Sequence, residues 1–278
     1  MDCDNLDRGV ADRAEESIRK KFRKSLFSRF TKAIVEYELI QPDDKIAVCI
    51  SGGKDSFVMA KLFQELKRHN KVNFDLVFLS MDPGYNEENA KRIAQNAKLL
   101  DIPLTCFGTD IFDSVFTIEK SPCYLCARMR RGHLYHAAQD LGCNKIALGH
   151  HYDDVIETIL MGMLYGGQMQ TMMPKVRSAN FEGMQLIRPM YLIREETIKH
   201  WRDYNKLQFI QCACKFTKTC ATEGASKRLK MKELIRTLES EDPGIEQNIF
   251  RSVENVNLKT VIAYKDKDGI RHRFTEDF

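Results

Sequence analysis

The sequence predicts an α/β protein built on a doubly wound, mostly parallel sheet. Three observations carry that reading. Short β-forming apolar runs recur at 45–50, 74–80, 103–107 and 145–149, and each alternates with a stretch of helical pattern. Strand–helix alternation of this kind closes a parallel sheet through right-handed crossovers. The polar and glycine-bearing stretches fall at the carboxyl ends of the runs, where such sheets bind ligands. A basic helical segment at 1–43 precedes the main domain at 44–215, and a helix and hairpin extension follows at 216–278.

At 278 residues the chain is long enough to bury a sizeable core. It has no apolar run of 18 residues, which argues against a membrane span. The first residues are polar and acidic and do not read as a signal peptide, so a cytoplasmic protein is expected. Nine cysteines in such a chain argue against a disulfide framework. The net charge of +4 is mild, but its distribution is uneven. Residues 19–32 hold seven Lys or Arg and no acid. Arg128, Arg130 and Arg131 form a second basic cluster, and Lys227, Arg228, Lys230, Lys232 and Arg236 a third. Each reads alone as a solvated face; together they suit a polyanion such as RNA.

In chain order, Phe22, Leu26, Phe30 and Ile34 recur every fourth residue, the stripe of a basic amphipathic helix or helix pair over 11–40. Pro42-Asp43-Asp44 is a turn. The first strand runs into Ser51-Gly52-Gly53-Lys54-Asp55-Ser56, and a helix follows to about 68. The second strand ends at Ser80-Met81-Asp82, and a helix spans 87–100. After the third strand comes a connector at 109–121, and Cys123-Tyr124-Leu125-Cys126 then opens a helix to about 141. The fourth strand delivers Gly149-His150-His151-Tyr152-Asp153-Asp154 to the start of a helix reaching 165. A late strand is expected at 187–189, helices at 194–205 and 226–239, and a hairpin over 260–274 with an Asp268-Gly269 turn. Cys49 and Cys106 lie in apolar runs and read as small core residues.

The glycine pair sits between a buried strand and a helix. There the backbone N–H groups and the helix dipole favour an anion, and the missing Cβ atoms let a phosphate approach. Ser51, Lys54 and Ser56 add donors, and Asp55 suits a magnesium ion. His150, Asp153 and Asp154 share the spacing of one helical turn, which suits a phosphate, a ribose or magnesium; capping of the helix is the simpler alternative. His151 belongs to the same stretch, and Glu157 reads equally as a surface acid. The Cys-x-x-Cys pair fits a dithiol, a zinc site, an iron–sulfur site or two inert thiols. A further ligand would come from Cys212, Cys214 or Cys220.

Ser51–Ser56 resembles the PP-loop of the ATP pyrophosphatases, which adenylate a substrate and release pyrophosphate; neither Gly-x-x-x-x-Gly-Lys-Ser/Thr nor Gly-x-Gly-x-x-Gly is present in it. Three further stretches join it: the run from Cys123 to Gly132 (Cys-x-x-Cys-x-Arg-x-Arg-Arg-Gly), Ile146 to Asp154, and Tyr165-Gly166-Gly167. Together these four resemble the tRNA 2-thiocytidine synthetase family over residues 20–255. The resemblance implies a cytoplasmic, ATP- and Mg2+-dependent enzyme with a [4Fe–4S] cluster, commonly a homodimer, acting on tRNA with an external sulfur donor. It would adenylate the C2 oxygen of an anticodon-loop cytidine and replace it with sulfur. The alternative is a PP-loop enzyme with another tRNA base or a small substrate as acceptor. By position, Ser51, Gly52, Gly53, Lys54, Asp55 and Ser56 would bind the ATP phosphates, with Asp55 at the magnesium. Ser80 or Met81 would meet the adenine, and Gly149, His150 and Asp154 would form the other edge of the ATP site. Lys54, Asp55 and Asp153 are the expected catalytic residues. Cys123, Cys126 and Cys214 are the expected cluster ligands, with Cys212 the rival for the third and Cys220 a weaker one. The family often carries Cys-x-x-Cys where this chain has Cys212-Ala213-Cys214.

Overall fold

The computed structural model describes residues 3–69, 72–109, 111, 122–210 and 223–276. They divide into two compact units, Met1–Val155 with Met172–Ser226, and Ile156–Thr171 with Lys227–Phe278.

Strand β1 (Asp44–Cys49) is central to the first unit. It pairs in parallel with β2 (Phe74–Asp82) on one side and with β4 (Lys145–Ala147) on the other. Beyond β2 lies β3 (Leu104–Gly108), and beyond β4 lies β6 (Gln185–Ile187), both parallel to their neighbours. A short antiparallel strand, β5 (Lys175–Arg177), closes the edge, giving the order β3-β2-β1-β4-β6-β5. The four expected strands and the late one are therefore present. Strand β5 has no signal in the sequence, because three residues, two of them exposed, leave no alternation to read. The helices α3 (Lys54–His69), α4 (Glu87–Leu99), α5 (Pro122–Asp140), α6 (Tyr152–Gly166) and α7 (Glu195–Tyr204) lie within a few residues of their expected spans.

The strand side chains alternate between two buried faces, which is why β1 reads as a continuous apolar run. Ile46, Val48 and Ile50 pack with Phe57, Val58 and Leu62 of α3. Ala47 and Cys49 face the opposite way, onto Tyr135 and Ala138 of α5. Burial pushes the Cys49 thiol up to about 12. Cys106, expected in the core, is instead exposed, because β3 forms the sheet edge and shows most of its length to solvent.

The N-terminal segment is two helices, α1 (Cys3–Arg19) and α2 (Ser28–Glu36), joined through a π-helical turn at Arg23–Phe27. Phe22, Leu26, Phe30 and Ile34 are all buried. In a regular α-helix, residues four apart drift by about 40° per step; the wider π turn reduces that drift and keeps the stripe on the core. Phe30 meets Phe63 of α3 edge to face at 5.2 Å.

A buried charge cluster fastens α1 to α3. Lys61 is fully buried, and its Nζ lies 2.5 Å from Glu15 Oε1 and 2.8 Å from the Leu100 carbonyl. Glu15 is also paired with Arg68, and Glu65 with Arg19 at 3.1 Å. Burial raises the Glu15 pKa, but hydrogen bonds from Arg68 and Lys61 outweigh it and hold the carboxyl below its ordinary range.

In the second unit α8 (Glu223–Glu241) leads to α9 (Ile245–Ser252), whose first N–H groups are capped by Glu239: its carboxylate accepts from Gly244 N at 3.1 Å and Glu246 N at 2.9 Å. Glu157, read as a possible surface acid, is buried and paired with Arg228 at 3.6 Å. The expected hairpin is present as β7 (Ala263–Lys265) and β8 (Arg271–Arg273). Among the described residues no helix is long and apolar enough to cross a membrane.

Glu15→Leu strands the Lys61 ammonium in the core, and is expected to cost about 3 kcal/mol of stability in denaturant unfolding. Lys61→Met leaves Glu15 paired with Arg68 and should cost clearly less. The Glu15 contribution is present above the ordinary glutamate pKa and fades as pH falls through the lowered folded value, so the two variants should converge in acid.

Candidate functional site

The chain winds from β1 outward to β2 and β3, then returns to β4 on the other side of β1. That reversal opens a crevice at the carboxyl ends of β1 and β4, where doubly wound sheets bind ligands. Two polar stretches meet there, the glycine turn after β1 and Gly149–Asp154 after β4.

The glycine turn is held by its own side chains. Ser56 Oγ donates to the Gly53 carbonyl at 2.8 Å and accepts from Ser51 N at 3.2 Å. Ser80 Oγ donates to the Ile50 carbonyl at 3.0 Å, fixing the exit of β1. Gly52 has φ +89°, and a Cβ there would lie 2.4 Å from Ile210 Cδ1 and 2.7 Å from Ile93 Cγ1. At Gly149 a Cβ would sit 3.3 Å from both Asp55 C and Ser56 N, so a bare α-carbon lets the β4 exit lie against the first turn of α3.

A cavity of about 440 Å³ opens at this junction, within the range of small-molecule sites. Ser51, Asp55 and Ser56 form one wall, Met81 closes the end of β2, and Gly149, His150 and Asp154 form the second wall. Arg130 and Arg131 of α5 form the third. Arg130 Nη2 donates to Tyr85 Oη at 3.2 Å, and that hydroxyl reaches the Ser51 carbonyl at 3.5 Å, linking α5 to the glycine turn. Most of the residues expected around ATP thus share one cavity. Ser80 does not line it; its hydroxyl is spent on the Ile50 carbonyl.

Lys54 and Asp153 point elsewhere. Lys54 lines a neighbouring cleft of about 590 Å³ with Gly53, Asp55, Lys199 and Arg202. Its Nζ lies 3.1 Å from Asp55 Oδ2 and 3.1 Å from Glu195 Oε1. Burial pulls the Lys54 pKa down, but the Asp55 and Glu195 carboxylates outweigh it and hold the ammonium above its ordinary value. Glu195 escaped the sequence reading; its only signal was its place at the start of a predicted helix. Asp153 Oδ2 accepts from Glu195 N at 2.7 Å, and its Oδ1 lies 3.5 Å from Arg194, so this carboxylate ties α6 to α7. The helix starts at Tyr152, so His150 precedes the turn it was expected to share with both acids. His151 is buried, with Nδ1 3.5 Å from Asp154 Oδ2 and Nε2 3.9 Å from Asp55 Oδ1. It stands between the two acids of the cavity walls.

Asp55 Oδ1 is buried and accepts no hydrogen bond among the described residues. An acceptor oxygen in that state suits a bound cation, and a carboxylate suits Mg2+. Cys123 and Cys126 lie three apart at the start of α5, the helix whose Ala127, Arg130 and Arg131 line the cavity. Cys212, Cys214 and Cys220 lie outside the described residues. Among the described residues no three His, Cys, Asp or Glu are grouped to hold a metal.

Gly52→Ala forces a side chain into a left-handed backbone conformation and against two isoleucines. It should weaken ATP binding about tenfold or more, measured by calorimetry, through about 1–3 kcal/mol of strain.

Residues 20–215 match the family model of the PP-loop domain. The chain is 35% identical over 251 residues to a tRNA-cytidine(32) 2-sulfurtransferase of Paraburkholderia phytofirmans, covering 88% of this chain and 72% of that one. It is 34% identical over 249 residues to that of Alcanivorax borkumensis, covering 88% and 86%. Its fold is similar to the solved U34-tRNA thiolase NcsA of Methanococcus maripaludis with its [4Fe–4S] cluster, with a TM-score of 0.65 and 22% identity over 82% of this chain and 76% of that one. The glycine turn, the crevice at the switch point and these relatives agree: the chain belongs to the PP-loop family and, within it, to the tRNA 2-thiocytidine synthetases.

Proposed function

We propose that the protein thiolates tRNA, using ATP to adenylate the C2 oxygen of an anticodon-loop cytidine and then exchanging that oxygen for sulfur. The observation that carries this reading is the make-up of one cavity. The glycine turn and Asp55 stand on one side, and on the other is the helix that opens with Cys123-x-x-Cys126. Oxygen activation and sulfur handling would share that space.

Attack of the cytidine O2 on the α-phosphorus breaks the bond to the β-phosphate and releases pyrophosphate. Attack of sulfide at C2 then breaks the C2–O bond, and AMP leaves with the electron pair. The N–H groups of the glycine turn and the start of α3 face the charge that develops on the phosphates. Lys54, held in its charged form by Asp55 and Glu195, would supply a cation in the adjoining cleft, on the far side of Asp55, toward which the pyrophosphate would extend. Asp153 acts here as a positioning residue, since it holds the backbone of Glu195, which in turn holds Lys54. Met81 would meet adenine, and His150 and Asp154 would border the nucleotide from the β4 side. Arg130 and Arg131 are placed to face its phosphate or that of the adenylated base.

Asp55 would hold Mg2+, which neutralises phosphate charge when bound. Cys123, Cys126 and Cys214 would hold a [4Fe–4S] cluster, which would supply sulfur-transfer chemistry beside the activated base. Ile210, the last described residue before the stretch that carries Cys212 and Cys214, packs beside Gly52 of the glycine turn. The reading further includes a cytoplasmic homodimer supplied by an external sulfur donor.

Expression in a bacterial strain lacking its own 2-thiocytidine enzyme should restore 2-thiocytidine in tRNA hydrolysates, and Asp55→Ala should abolish it. Restoration of a different thiolated base would overturn the cytidine assignment. Anaerobically purified protein should carry about four irons per chain, and Cys123→Ala should lose most of them. Stoichiometric zinc without iron would refute the cluster.

A further inference from the structure

Outside the nucleotide cavity, the hairpin β7–β8 in the second unit carries a cationic face that its own stability does not explain. The register pairs Ala263 with Arg273, Tyr264 with His272 and Lys265 with Arg271. Alternation therefore puts Lys265, Arg271 and Arg273 on one face. All three are exposed, and none makes an ion pair among the described residues. Like charges directly opposite across a strand pair are destabilising, and strands of three residues have little stability to spare. Asp266, the acid next to Lys265, is already committed. Asp266 Oδ1 accepts from Asp268 N and Ile270 N, each at 2.9 Å, and its Oδ2 lies 2.8 Å from His272 Nε2. On the other face Tyr264 and His272 stack at 5.0 Å, with Tyr264 and Phe274 exposed.

We infer that this hairpin is an RNA-docking element whose Lys265, Arg271 and Arg273 face takes the sugar-phosphate backbone of the substrate tRNA. The inference rests on the tRNA reading above and adds the surface that engages it. A polyanion is the partner that resolves the Lys265–Arg271 repulsion. The stacked Tyr264–His272 pair on the reverse face stiffens the hairpin and gives an aromatic platform of the kind unpaired bases use.

The test is the full-length Lys265→Ala/Arg271→Ala/Arg273→Ala variant, with tRNA affinity measured over a salt series and ATP binding measured separately. The expected result is at least a tenfold loss of affinity near 0.1 M salt. The log–log salt slope should fall by about 2, since each phosphate contact contributes about 0.7–0.9. ATP affinity should not change, and the melting temperature should hold or rise, because a repulsive pair is gone. The Arg271→Lys/Arg273→Lys variant, which keeps the charge, should bind tRNA nearly as the parent does. Parental affinity and slope in the triple variant would overturn the inference and leave the tRNA reading intact. A parent chain that binds no tRNA would overturn both. Loss of binding to phosphatidylserine vesicles with tRNA binding unchanged would assign the face to a membrane and also overturn it.

Discussion

The site depends on one close approach. The peptide that joins Asp55 to Ser56 lies against the α-carbon of Gly149, with room for no side chain between them. This contact joins the exits of β1 and β4, the two strands on either side of the point where the winding reverses. It sets Asp55 and Asp154 on facing walls, with His151 between them. The third wall arrives separately, on α5, and is linked back to the glycine turn through Arg130 and Tyr85. A cavity built this way has two walls fixed by the sheet and one by a helix.

Much of this was legible because the physics leaves a strong trace. Strands buried on both faces read as apolar runs, and a glycine pair between strand and helix has few other uses. What escaped lies in contacts between distant parts of the chain. Nothing local distinguishes Glu195 as the partner of Lys54, or sends Asp153 to the start of α7 and away from the cavity. His151 and His150 are adjacent in sequence, and only the helix start at Tyr152 separates their roles. Cys106 looked like core because its neighbours are apolar, yet an edge strand shows them to solvent. Glu157 looked free because Arg228, its partner, lies far along the chain.

Cations are divided among several tasks. Lys61 and Arg68 are consumed in fastening α1 to α3, and Lys145 pairs with Asp44 at 2.6 Å beneath the starts of β1 and β4. Lys54, Arg130 and Arg131 line the clefts around the glycine turn. Among the described residues the hairpin cations Lys265, Arg271 and Arg273 form no ion pair. Charge that holds the fold together is buried and paired; charge left exposed and unpaired is available to a substrate.

Cys49 borders the cavity, yet burial leaves its thiol protonated far above neutral pH. The thiolate is the form that binds metal and exchanges sulfur. At neutral pH this residue is therefore a silent neighbour of the cavity. An alkylating reagent should find it only once the sheet has opened.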